Sequence, residues 1–255
     1  MAGARSRSVV LSAAAISLLA GAASAVPVLV TSPMTIGPTD LAITPNGGGA
    51  AVPLDQAEIT VRGTTLTMNG RHTVQSLTLE REGLAPGVAA ILTHDAGVSY
   101  DYSGTGVDVV NGLSLTVTGA CSIQGVSGES VASRIDLDGR GFSSGTGPGT
   151  SPPSNEYARS SGGGHGGYGG RGFQLPSTTF GGAAYGLLLT PTTFGSGGGP
   201  NSSSGTALTG AGDGGGAIKL TVLGALSVDG QIRANGTNGT ASWWGSGGGA
   251  GGSIW

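Results

Sequence analysis

A chain of 255 residues with 53 glycines, one lysine and a net charge of −3 carries no basic footprint for nucleic acid. Its single cysteine excludes an intrachain disulfide framework, and charged residues make up only 10% of the chain, so backbone pairing and apolar packing must supply the stability. No segment shows sustained helical periodicity, which leaves an all-β fold.

The first 25 residues read as an export leader. Arg5 and Arg7 precede a short apolar run from Val9 to Ala20, and Ala23-Ser24-Ala25 fits the small-x-small cleavage rule. Cleavage there makes Val26 the mature N-terminus. No later stretch reaches the roughly 18 apolar residues of a membrane-spanning helix. Residues 26–57 are Pro-rich, contain Gly47-Gly48-Gly49 and read as a lead-in with a few short strands.

Regular β signal begins at residue 58. Ile59 to Gly63, Leu66 to Gly70, Val74 to Leu79, Val107 to Val110, Leu113 to Val117 and Ile135 to Leu137 are short segments rich in β-branched and aliphatic residues. Gly, Asn or Asp bounds most of them. Two segments repeat. Residues 115–125 (LTVTGACSIQG) match residues 220–230 (LTVLGALSVDG) at seven of eleven positions, 105 residues apart. Residues 59–70 read as a third, looser copy, one residue longer. Gly119 and Gly224, then Gly125 and Gly230, fall after corresponding strands, where a positive φ would turn a corner. Repetition of a strand–Gly–strand–Gly unit predicts stacked coils, with Leu115, Val117 and Ile123 in an interior column with Leu220, Val222 and Val228. Cys121 occupies the place of Leu226 and reads as a small buried hydrophobe.

From residue 139 onward lie 36 of the 53 glycines, many of them in tracts at 161–172, 195–200 and 245–252. An ordered glycine costs more backbone entropy than any other residue and buries no side chain. The strands are therefore expected to hold the fold, with the tracts as excursions from it. Threefold polyglycine helices are an alternative that short, interrupted tracts disfavour. Gly216-Ala217-Ile218-Lys219 recurs as Gly252-Ser253-Ile254-Trp255 and stops there, which predicts an array continuing past Trp255.

The expected architecture is a right-handed parallel β-helix over 58–255, with a Gly-rich insert at about 141–212. An antiparallel β-sandwich is the alternative. The run GGGAIKLTVLGALSVDGQIRANG (214–236), followed by a glycine tract and GGSIW (251–255), resembles large secreted, glycine-rich bacterial repeat proteins of β-helical character and the passenger segments of surface adhesins. That resemblance implies an extracellular or cell-surface location and brings no catalytic residues with it.

Chemistry-bearing clusters are sparse. Asp136 and Asp138 are spaced to share one strand face, with Arg140 on the same side, as a glycosidase pair or a cation site on an acidic sugar would require. A solvated strand face running into a turn explains the same spacing. Aromatics on Gly-flanked loops, Trp243, Trp244 and Tyr168 foremost, suit stacking on sugars or on a partner protein. His72, His94 and His165 are scattered, and no metal or cofactor is expected. The function that fits is a secreted or cell-surface structural or adhesive protein without catalytic activity, binding surface polysaccharide or another surface protein. A polysaccharide-active lyase or hydrolase is the alternative.

Overall fold

A computed structural model describes residues 24–83, 87–125, 131–151, 160–174, 177–200, 210–240 and 245–255. The leader up to residue 23 and the pair Trp243 and Trp244 lie outside these.

The strands of the core turn alternate residues inward. In Leu113–Val117, residues 113, 115 and 117 are buried while Ser114 and Thr116 point outward. Three sheets gather most of the strands. Sheet 1 contains Val26–Val30, Ala57–Arg62, Ser76–Glu80, Cys121–Ile123 and Leu226–Val228, in that order. Sheet 2 contains Met34–Ile36, Thr65–Met68, Ile91–Thr93, Arg134–Asp136 and Gln231–Arg233. Sheet 3 contains Gly70–Val74, Leu113–Val117, Ala217–Val222 and Ser253–Ile254. Along the chain the strands visit sheets 1, 2 and 3 in rotation. In the first round a 3₁₀ turn, Leu54–Gln56, stands in place of a sheet 3 strand.

Every pairing inside these sheets is parallel, so the sandwich alternative fails. Among the described residues, antiparallel pairing is confined to three small hairpins and one isolated bridge. The sequence repeat is the pairing register. Leu115 lies opposite Leu220 and Val117 opposite Val222, while Cys121 lies opposite Leu226 and Ile123 opposite Val228. The shorter recurrence is a register too, since Ala217 lies opposite Ser253 and Ile218 opposite Ile254.

Three expectations need correction. Residues 59–70 are not a third equivalent copy: Ile59 and Val61 lie in sheet 1 and Leu66 and Met68 in sheet 2, whereas Leu115 and Val117 lie in sheet 3. The true counterpart of 115–123 is 72–79. That stretch is not one strand, because the chain turns at Gln75 from sheet 3 into sheet 1. The repeat glycines do not serve a positive φ. Gly119, Gly125, Gly224 and Gly230 are absent from the residues in that region. They are needed because neighbouring rounds approach too closely for a side chain. A Cβ on Gly119 would stand 2.7 Å from the Gln75 carbonyl oxygen, and one on Gly224 would stand 2.4 Å from that of Gly119.

The core runs through the middle of the three sheets. Leu115, Val117, Cys121 and Ile123 are buried in it. Their partners in the next round are less covered: Leu220 and Val222 are half-buried, and Val228, on the outer strand of sheet 1, is 42% exposed. At the opposite end, Ile43 and Val52 of a small hairpin, with Leu54, close the core. Cys121 behaves as its column position requires. Burial pushes its thiol pKa up to about 11.

The longest excursions leave from one corner, between sheets 2 and 3. Residues 137–216 and 234–252 both do so, and their glycine tracts meet in a bundle. Segment 193–200 lies at its centre. Gly195 and Gly198 donate to the carbonyls of Gly215 and Gly212, at 2.9 and 2.8 Å. Phe142 and Gly145 donate to the carbonyls of Gly195 and Gly198, while Ala250 and Gly247 donate to those of Ser196 and Gly199. On each of these sides the contact repeats every third residue. That period belongs to an extended threefold helix, which has no internal hydrogen bonds and must satisfy its backbone laterally. The tracts are therefore packed structure rather than excursions, contrary to the entropic expectation. The lost entropy is offset by backbone pairing at distances that only glycine allows. A Cβ on Gly214 would lie 1.8 Å from the Gly195 carbonyl oxygen.

Gly214→Ala is expected to lower stability by at least about 1–3 kcal/mol, the usual cost of overpacking. Gly170→Ala, where an added Cβ meets nothing within 4 Å, should leave stability within about 0.5 kcal/mol of the parent. Paired urea titrations check both. Equal midpoints for the two variants would contradict the packed bundle.

Candidate binding groove and the charged ladder

The carboxylates singled out by spacing are brought together on the outer side of sheet 2, but they are committed to arginines. Strand Arg134–Asp136 ends at Asp136, and the chain turns through Asp138 and Gly139. Asp136 accepts from Arg134 and from Arg233, both at 2.7 Å. Asp138 lies 3.1 Å from Arg233 and also accepts from the backbone and side-chain nitrogens of Asn235. Arg140 borders the same shallow cleft with Thr65, Thr93 and both aspartates. Burial works to raise the Asp136 pKa, but the bonds from Arg134, the Asp138 N–H and Arg233 outweigh it and hold the carboxyl below its ordinary range. A general acid needs the opposite shift. This cluster is an ion-pair ladder that ties the round of Arg134 to the round of Arg233.

Tyr168 is 82% exposed on the glycine bundle, as a binding aromatic would be. The histidines do structural work. His94 is fully buried where the stack meets the bundle. Its Nδ1–H donates to the Asp95 carbonyl, leaving Nε2 to accept the Ala217 N–H at 3.1 Å. Its ring packs on Phe194, which meets Phe142 edge-on at 5.6 Å. Gly112 and Gly216 leave the room that this imidazole fills. Among the described residues, no group of three or more His, Cys, Asp or Glu side chains could hold a metal ion.

A groove that spacing did not single out lies on the outer face of sheet 3. Register alignment builds its floor from two rows. Thr73, Thr116 and Thr221 form one, and Arg71, Ser114 and Lys219 the other. The hairpin of Ser99–Asp101 and Val109–Asn111 walls one side, and Asn111 is held there by a 3.0 Å bond to the Thr192 carbonyl. Trp255 stands at the far end. The cleft encloses about 370 Å³. A second opening of about 650 Å³ shares Arg71 and Thr73 with it and extends toward Pro38, Leu41 and Tyr102. The two together make one elongated trough running across the rounds.

Its charges are unequal. Arg71 is neutralised by Asp108 at 2.6 Å and rests 4.8 Å from the centre of the Tyr102 ring. Lys219, the only lysine of the chain, has its ammonium 4.1 Å from the centre of the Trp255 ring and pairs with no carboxylate among the described residues. A hydroxyl ladder, an unpaired cation and an aromatic plate form a surface suited to a polyhydroxylated, acidic ligand. The sequence did hold one clue: Thr116 and Thr221 are identical, outward-facing positions of the repeat.

Comparison with known protein families, with curated proteins and with solved structures finds no match to this chain.

Burial lowers the pKa of His72, His94 and His165 below 6.5. Between that value and the depressed folded values the unfolded chain binds more protons, so stability falls as pH drops below about 6.5. Asp101 and Asp136, also depressed, act only in the carboxylate range below it. Urea midpoints at pH 7.5 and 5.5 test this. The lower pH should give the lower midpoint, and an equal or higher one would contradict the neutral, buried histidines.

Proposed function

We propose that this chain is an exported β-helical scaffold that binds an acidic polysaccharide along the sheet 3 trough without cleaving it. The rotation of the chain through three parallel, in-register sheets supports the β-helix reading. A right-handed sense follows from the strong preference of parallel crossover connections. Export is supported by the leader pattern and by the first strand, which begins at Val26, where that pattern places the cleaved terminus. The same parallel, glycine-cornered architecture fits the adhesive and structural role expected of a surface protein.

One observation carries the ligand assignment: Lys219 lies over Trp255 at the end of a hydroxyl ladder and has no carboxylate partner among the described residues. A uronate strand laid along the trough would bring its carboxylate to that ammonium and a sugar face to the indole. The Thr73, Thr116 and Thr221 hydroxyls would meet the ring hydroxyls. Nothing favours the hydrolase or lyase alternative, because Asp136 and Asp138 are occupied by Arg134 and Arg233.

Titration of the full chain with polygalacturonate, followed by calorimetry, tests this. Lys219→Gln and Trp255→Ala should each weaken binding roughly tenfold, in line with the contribution of a desolvated cation–aromatic pair. No new reducing ends or unsaturated products should accumulate. Undiminished binding by both variants would remove the trough from the account. Turnover that disappears in Asp136→Asn would overturn the non-catalytic reading.

A further inference from the structure

The glycine bundle carries a second surface of different chemistry. Leu187, Leu188 and Leu189 are consecutive residues, and all three are exposed, at 69%, 90% and 88%. A run of three bare leucines on a loop is costly to solubility and is ordinarily selected against unless something covers it. This loop is also firmly held. Gly186 has a φ of +90°, and Pro191 follows the run. Tyr185 donates its hydroxyl to the Phe194 carbonyl and accepts from Ser196, while His165 bonds Thr193 at 2.7 Å. The leucines are therefore presented by a fixed base rather than by a loose tail.

We infer that the Leu187–Leu189 loop inserts into a lipid layer. The geometry favours lipid over a shaped protein groove, because the apolar run projects instead of forming a flat face. Behind it lies an apolar cleft of about 420 Å³ lined by Ala184, Tyr185, Leu187, Leu188 and Pro191, suited to an acyl chain. Charge agrees. Residues 160–200 contain no Asp or Glu, although the whole chain is net negative, and they include Arg171. Arg171 rests 5.0 Å from the centre of the Phe180 ring, itself exposed, and Tyr168 extends from the neighbouring loop. Exposed aromatics beside a cation, with aliphatic side chains projecting, match the layering of a membrane interface, where amphipathic rings sit at headgroup level. The bundle thus offers an anchoring tip independent of the sheet 3 trough.

Flotation of the full chain with vesicles of phosphatidylcholine, alone and with one-third phosphatidylglycerol, tests the inference. The chain should float with both, more strongly with the anionic vesicles. The combined substitution Leu187→Ser, Leu188→Ser, Leu189→Ser should reduce partitioning at least tenfold with the urea midpoint unchanged. In Leu188→Trp, the indole emission should shift to the blue on vesicle addition and be quenched by brominated acyl chains. Absence of flotation would overturn the inference, and so would flotation that survives the triple substitution. A self-association in solution that the leucines support, without vesicle binding, would instead assign the patch to a protein contact and equally overturn it. Polygalacturonate binding by the triple variant keeps this outcome separate from that of the trough.

Discussion

Lateral hydrogen bonding between one passage of the chain and the next is the constraint on which the whole structure depends. In the three sheets it is the parallel ladder between successive rounds, and in the glycine bundle it is the three-residue contact between threefold segments. Neither part has an internal helix to satisfy its own backbone, so each segment is held by its neighbours. The two halves differ mainly in what fills the space between passages. Between strands it is Leu, Val and Ile turned inward. Between glycine tracts it is backbone alone, and the absence of side chains permits the approach.

This shared constraint explains why one corner carries both proposed binding surfaces. Corners between sheets 3 and 1 are tight, with Gly119 and Gly224 stacked on Gln75, and leave no room for insertion. The corner between sheets 2 and 3 is where the chain departs into the hairpin at 99–111, the bundle and the tip at Leu187–Leu189. His94 sits at that junction and links Asp95, the Ala217 strand and Phe194. The trough on sheet 3 is a consequence: its walls are excursions from the corner, and its floor is the outward row of the strands they interrupt.

Some of this was legible in the residues. The 105-residue recurrence was the strand register, and the Cys121–Leu226 equivalence placed a thiol in the core correctly, because stacked rounds demand like residues at like positions. The assignment of 59–70 failed because strands of different sheets share the same alternation, and composition does not record which face of the stack a strand occupies. The bundle stood only as the disfavoured alternative in the sequence, for a physical reason. Entropy argues against ordering glycine, and only the lateral partners, distant in sequence, supply the compensating bonds. The pairing of Asp136 and Asp138 with Arg233 was hidden in the same way, since that arginine arrives from the following round. The trough was missed because Lys219 and Trp255 become neighbours only through the Ala217–Ser253 register.

Amide hydrogen exchange resolved at single residues bears most directly on lateral bonding as the common support. The amides of Gly195, Gly198, Gly212 and Gly215 should be protected to a degree comparable with Leu115 and Val117 of the central strand. Exchange of these glycine amides at the rate of an unstructured chain, with the strand amides protected, would contradict the account and return the tracts to the status of loops.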